Sequence, residues 1–192
     1  KSLASKLLAH FKDDSLARKS YIETYTKGLD LLGFKYQEVT RPFIGASGVT
    51  HPLLAEAATQ FQAQAFKELL PSDGPVRCQV VGAESKETIQ QANRVKDYMN
   101  YQITDVMEEY TPEMDQMLFF LPLAGSTFKK VYYDPAAQRC KATFIHAEDL
   151  VVPYNASDLY EAERISEVQR VTKNTVAKRI ASGFYRDVEL PE

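Results

Sequence analysis

The sequence contains no tryptophan, two cysteines and no long uninterrupted run of apolar residues. Cys78 and Cys140 stand far apart in an unpatterned chain, so we expect reduced thiols and an intracellular setting rather than a disulfide framework. The longest apolar run, residues 117–124, is much shorter than the roughly 20 residues of a membrane-spanning helix. We therefore expect neither a membrane protein nor a secreted one.

Basic residues are also in short supply, because 23 Lys and Arg face 26 Asp and Glu, for a formal net charge of −3. Domains that hold nucleic acid through its phosphates are usually strongly basic, so tight DNA binding is not expected. The length of 192 residues and the 44% apolar content are typical of a globular chain. Since the sequence starts at Lys1 rather than Met, we expect a piece of a longer polypeptide.

Apolar residues recur at helical spacing over residues 3–32, 52–70, 85–106, 111–124 and 172–182, which predicts amphipathic helices. The helix over residues 85–106 is expected to bury Ile89, Ala92, Val95, Met99, Ile103 and Val106, and the helix before it runs through Leu53, Leu54, Ala57, Phe61, Ala65 and Leu69. The expected caps are Thr50 or His51 before Pro52, then Ser85, Thr111 and Thr172, and the expected stops are Gly33, Pro122 with Gly125, and Gly183.

Strand signals are fewer. Alternation predicts a short strand over residues 76–81, and residues 126–133 and 140–145 flank a turn-rich linker of hairpin length. Residues 150–154 and 163–171 are expected to add two more strands, giving a sheet of about four. The predicted fold class is α+β, with long amphipathic helices packed on a small, mainly antiparallel sheet.

The loop GASGVTH, residues 45–51, has the two glycines that a phosphate-binding loop uses. That template needs Gly-x-x-x-x-Gly-Lys-Ser/Thr after a buried strand, so that backbone amides and a lysine meet the phosphates. No lysine follows Gly48, and no apolar strand precedes the loop. The pattern favours a loop that leads into a helix.

Metal and catalytic chemistry have weak support in the sequence. The three histidines show no short-range spacing typical of zinc sites, although a long-range site formed by His51, His146, Glu148 and Asp149 stays open. No Gly-x-Ser-x-Gly elbow occurs. We therefore predict no catalytic residue, no metal and no cofactor. The remaining enzymatic alternative is a metal-dependent nuclease that uses either His146 with Asp149 or the acidic cluster Glu108, Glu109, Glu113 and Asp115. Acidic residues at such a junction more commonly cap a helix and face water.

Aromatic residues are plentiful, with 11 Tyr and 10 Phe. Lys129 and Lys130 lie beside aromatic residues in a predicted strand. Adjacent strand residues point to opposite faces, so the two lysines would not form one patch for single-stranded nucleic acid. Aromatic side chains are enriched at protein interfaces, so their number favours assembly.

Four segments carry a resemblance to a known family, and they span nearly the whole chain, most strongly over residues 42–154. They are RPFIGASGVTHPLLAEAATQFQAQAFKELLPSDGPVRCQVVG, MNYQITDVMEEYTPEMDQMLFFLPLAGSTFKKVYYDP, HAEDLVVPYNASDL and GFYRDVEL. Together they resemble the portal, or head-to-tail connector, protein of short-tailed bacteriophages.

The resemblance implies a non-enzymatic subunit of a dodecameric ring at one capsid vertex, in the virion and, during assembly, in the host cytoplasm. Its partners would be capsid protein, terminase and tail adaptor proteins, with double-stranded DNA passing through the ring without sequence-specific binding. Residues 1–50 would form a helical arm and connector, and residues 51–192 a wing-like α+β domain, with stem, clip and crown outside this chain. Another phage structural protein, such as a tail adaptor, is the main alternative.

A ring of identical subunits needs two different complementary patches on each subunit. The long polar connector before the second helix motivates the hypothesis that its loop is one of them. The residues of this predicted interface loop are Arg41, Phe43, Gly45, Ser47, Gly48, Thr50 and His51.

Overall fold

The computed structural model describes residues 3–33, 43, 44, 46, 48, 51–135 and 137–187. Over these residues the protein is a mixed α+β fold in which helices pack on small antiparallel sheets, so the predicted fold class is confirmed. The elements are α1 (Leu3–Ala17), α2 (Lys19–Asp30), α3 (Leu53–Leu69), α4 (Lys86–Tyr101), a π-helical turn (Gln102–Val106), α5 (Tyr110–Ala124), β1 (Phe128–Asp134), β2 (Arg139–Ile145), β3 (Leu150–Val151), β4 (Ser166–Glu167) and α6 (Lys173–Ala181).

The helix α2 enters the core through Tyr25, which is buried against Ala124 and Ala147. Its neighbour Tyr21 donates its hydroxyl hydrogen to the Ala124 carbonyl oxygen at 2.9 Å. The helix ends at Asp30, with Leu31 as C-cap, so the C-cap predicted at Gly33 is two residues too late. The N–H of Leu31 already bonds carbonyls of the last turn, which completes the helix before the glycine is reached.

The junction of α1 and α2 is held to the later half of the chain by two arginines. Arg164 donates through Nε and Nη2 to both oxygens of the buried Asp14 carboxylate, each at 2.7 Å. Arg18, between the two helices, donates to the carbonyl oxygens of Leu150 and Ala147. The bond from Arg164 lowers the pKa of Asp14, outweighing the burial that would raise it.

The helix α3 lies against α5, with Ala58 buried and Gln62 donating to the Asp115 carboxylate at 2.7 Å. Pro52 is the N-cap and α3 starts at Leu53, with no side-chain cap. The prediction that His51 caps this helix is therefore wrong. It contributes only its carbonyl oxygen, which accepts the Leu53 N–H at 2.9 Å. The alternative cap Thr50 lies outside the described residues.

The predicted strand over residues 76–81 is wrong, because this segment has no strand partner. The side chain of Asn100 takes that role instead: its Oδ1 accepts the Val76 N–H at 2.9 Å and its Nδ2 donates to the Val76 carbonyl oxygen at 3.3 Å. A side-chain amide has both a donor and an acceptor, so it can bond the backbone N–H and the carbonyl oxygen of one extended residue. The segment therefore stays extended at Val76 without joining a sheet.

The start of α4 follows the prediction, since Ser85 and Thr88 form a reciprocal capping box. The start of α5 does not: its N-cap is Glu109 and Tyr110 is its first residue, so Thr111 lies inside the helix. The helix α5 ends at Ala124, less than one helical turn after Pro122, as expected. Gly125 follows as the C-cap in the left-handed conformation, at φ 74°.

The hairpin is confirmed, with β1 and β2 antiparallel and Val131 opposite Ala142. The strands β3 and β4 form a second, separate sheet, so the prediction of one sheet of about four strands is wrong. The strands β3 and β4 have two residues each, far fewer than the predicted segment 163–171. Strands this short offer too few backbone groups to extend the ladder further.

The last helix begins and ends as predicted. Thr172 caps α6 by accepting the Thr175 N–H, and Gly183 stands just after its end at φ 74°. The N–H groups of Gly183 and Phe184 bond back to Ile180 and Arg179, each at 2.9 Å, which is the Schellman pattern.

Candidate functional site

The predicted interface loop is described at three of its seven positions. Phe43 is 65% exposed and His51 is also at the surface, whereas Gly48 is buried. The other four, Arg41, Gly45, Ser47 and Thr50, lie outside the described residues. Phe43 is thus available to a partner, and Gly48 belongs to the interior of the subunit.

The helix α3 presents an apolar stripe to solvent. Ala58 packs inward on the α5 side, while Leu53 is 68% exposed and Phe61 is 41% exposed, with Ala57 exposed between them. These three residues follow one another at intervals of four, so they lie on one face of the helix. The stripe that gives α3 its amphipathic pattern is therefore uncovered.

The helix α4 presents a second uncovered stripe. Sequence periodicity predicts Ile89, Val95 and Met99 on a buried face, yet each is between 44% and 45% exposed. No residue of α4 is buried. The prediction of a buried face is wrong for the subunit by itself. Among the described residues, α4 mainly contacts the π-helical turn that follows it and, through Asn100, the extended segment at Val76.

The acidic cluster is dispersed into separate structural contacts. Glu109 pairs with Arg139 at 2.6 Å, Glu113 accepts the Phe144 N–H at 2.5 Å, and Asp115 accepts from Gln62. Three of the four carboxylates thus tie α5 and its start to β2 and α3, and the interpretation as solvated capping is wrong for them.

The pairing of Glu109 gives stability that depends on pH. Burial is the largest single influence and favours the neutral acid, but the hydrogen bond and charge of Arg139 together with backbone hydrogen bonds outweigh it, so the pKa of Glu109 lies below its ordinary value. A lowered folded-state pKa adds stability above the ordinary glutamate pKa of ~4.3, and this stability is lost as the pH falls through the folded value.

We predict that a Glu109→Gln variant is less stable than the wild type at neutral pH and that the two converge in acid. Glutamine keeps the size of the side chain but cannot carry the charge that Arg139 stabilises. Urea midpoints measured from about pH 7 down to about pH 3 would test this. A difference between the two proteins that stays constant over that range would contradict the assignment.

The histidine and carboxylate candidates do not converge. His146 packs its ring against Phe120 and Phe144, at centroid distances of 4.8 and 4.5 Å. Asp149 faces Arg170 at 3.1 Å, and Glu148 is exposed. Over the residues that the structure describes, no group of three or more His, Cys, Asp or Glu is arranged to hold a metal ion.

The two adjacent lysines of β1 lie on opposite faces, as alternation predicts. Lys129 sits 4.0 Å above the Tyr110 ring and 3.4 Å from the Met114 sulfur, and burial lowers its pKa. Lys130 pairs with Glu167 on β4. The basic and aromatic residues of this strand therefore do not form one continuous patch.

Sequence reasoning missed the pairing of the buried Asp14 with the half-buried Arg164. The available signal was the position of Asp14, which continues the stripe of Leu3, Leu7 and Phe11 at helical spacing. A charged residue within an apolar stripe needs a buried partner, but the sequence does not reveal which arginine supplies it.

No family model matches the chain, and no curated protein matches it. Over the described residues, none of the helices combines the length and the apolar content that a bilayer crossing requires.

Proposed function

We propose that the chain is a structural subunit of a phage portal ring at the capsid vertex, the conduit for genome packaging and ejection and the attachment point for terminase and tail. In this proposal the protein acts through its shape and its self-association and transforms no molecule. It belongs to the virion and, during assembly, to the host cytoplasm. The sequence resemblance supplies the identity of the assembly, and surface properties of the subunit support it.

The observation that carries the proposal is the pair of uncovered apolar stripes on α3 and α4. Monomeric proteins rarely leave large contiguous apolar patches in water, and such patches commonly mark protein interfaces. The stripes lie on different helices and have different residues, with Phe61 prominent on one and Met99 on the other. Two unlike patches on one subunit suit head-to-tail contacts, which generate closed rings.

Charge supports the same proposal. The formal net charge is −3, and Lys129 and Lys130 lie on opposite faces of β1, so neither the overall charge nor this strand favours holding DNA. A conduit benefits from this property, because a wall that does not neutralise phosphates lets a polyanion slide through.

Electron microscopy of the full-length protein tests the proposal directly. We expect end-on views of closed rings, and native mass spectrometry is expected to give a particle of twelve subunits. A ring with another subunit number would favour a tail adaptor or a related phage structural protein. A strictly monomeric full-length protein, or one that cleaves DNA in the presence of Mg²⁺, would overturn the proposal.

A further inference from the structure

One charged residue lies within the uncovered stripe of α3. At 3.6 residues per turn, Leu53, Ala57, Phe61 and Glu68 fall within about 80° of arc around the helix. Glu68 is exposed, and over the described residues it has no ion-pair partner. The stripe of α3 is therefore apolar from Leu53 to Phe61, and it continues through the polar Gln64 to the acid near its end.

The uncovered stripe of α4 carries the opposite charge. Ile89, Val95, Lys96 and Met99 fall within about 120° of arc, and Ile103 of the following turn continues the row. Lys96 is half-buried, and among the described residues it too has no ion-pair partner. The stripe of α4 is therefore apolar with a base near its middle.

Neither stripe suits a copy of itself. Lys96 is midway between Ile89 and Ile103, so two antiparallel α4 helices would place their lysines face to face, which is unfavourable. Two antiparallel α3 helices would place each Glu68 opposite Leu53, which would bury a charge without a partner. A two-fold dimer through either helix is thus disfavoured.

The two stripes do suit each other. Glu68 is seven residues from Phe61, and Lys96 is seven residues from both Ile89 and Ile103. When Glu68 lies opposite Lys96, Phe61 therefore lies opposite one of these isoleucines, about 10 Å along the helix. Ala57 allows close approach of a helix, and Phe61 supplies a large side chain of the kind that anchors interfaces. The charges, one acid and one base, are complementary.

We propose that the α3 stripe of one subunit packs on the α4 stripe of a second copy of the chain, with Glu68 paired to Lys96. This deepens the proposed function and rests on it, because the contact is head-to-tail and repeats around a ring. Each subunit then uses both stripes, one toward each neighbour. Phe61 and the half of the α4 stripe that faces it become covered in the ring.

Charge reversal in the full-length protein tests this contact. The variants are Glu68→Lys, Lys96→Glu and the two combined, and the readouts are the ring fraction in negative-stain micrographs and the native mass. We expect each single reversal to raise the subunit concentration needed for half-maximal assembly by roughly tenfold or more, since like charges at an interface are strongly unfavourable. We expect the combined variant to assemble nearly as the wild type does.

The helices offer matched controls. Arg94→Glu makes the same change on α4 about 160° around the helix from Lys96, and Glu56→Lys makes it on α3 about 120° from Glu68. Both control residues are exposed, and we expect both variants to form rings normally. Far-UV circular dichroism of every variant checks that each subunit is folded.

The outcomes separate the two proposals. Rings that form normally in both single reversals would overturn the pairing of α3 with α4 and leave the portal proposal standing. Folded single variants that lose their rings, with no recovery in the combined variant, would also overturn the pairing. Absence of rings in the wild type would overturn the proposed function itself.

Discussion

Replacing Leu118 by alanine is expected to lower the free energy of unfolding by about 2–5 kcal/mol. Leu118 lies in the middle of α5 and is 2% exposed, the largest fully buried side chain of the described residues. The helix α5 contacts α2, α3 and β2, so Leu118 lies in the helix around which these elements pack. The neighbours can close the cavity left by alanine only partly, which adds to the lost transfer free energy.

Urea or thermal unfolding of Leu118→Ala measures this effect, and Leu8→Ala is the matched control. Leu8 lies on α1 and is mostly exposed, so the same deletion is expected to change stability by no more than about 0.5 kcal/mol. Similar losses for the two variants would show that α5 is not the centre of the packing.

Replacing Gly74 by alanine is expected to cost about 2–4 kcal/mol. Gly74 has φ +96°, which side chains of L-residues rarely adopt, and an added Cβ would lie 2.5 Å from the Asn100 side chain. Asn100 would have to shift, and its two hydrogen bonds to Val76 would be lost with it. Backbone strain and lost hydrogen bonds therefore act in the same direction.

Gly28→Ala is the control for this prediction. Gly28 lies inside α2, and an added Cβ there would meet nothing within 4 Å. Alanine also favours the helical conformation more than glycine does, so the unfolding midpoint of the Gly28→Ala variant is expected to stay level or to rise. A Gly74→Ala variant as stable as the wild type would mean that Asn100 does not hold residue 76 in solution.

Features set by neighbouring residues could be predicted from the sequence. Ser85 and Thr172 act as caps because the groups that they bond lie three residues away, and Gly183 ends α6 because its conformation is local. The hairpin of β1 and β2 belongs to the same class, since its strands are adjacent in the chain.

Features set by distant partners could not be predicted. Asn100 replaces a strand partner for Val76, and no periodicity in residues 76–81 reveals an amide 24 positions away. The stripe of α4 has the pattern of a buried face, and the pattern is the same whether another element or another subunit covers it. This is why the sequence signals the stripe correctly and the expectation that the subunit itself buries it is wrong.

The link between Asp14 and Arg164 has a consequence for synthesis on the ribosome. The two residues are separated by 150 positions, so the buried Asp14 of α1 cannot acquire its partner until nearly the whole described chain has been translated. At about 5–20 residues per second, the interval is roughly 8–30 s. Over that time the first helix emerges without its final anchor, and its exposed leucines are within reach of chaperones and of other nascent chains.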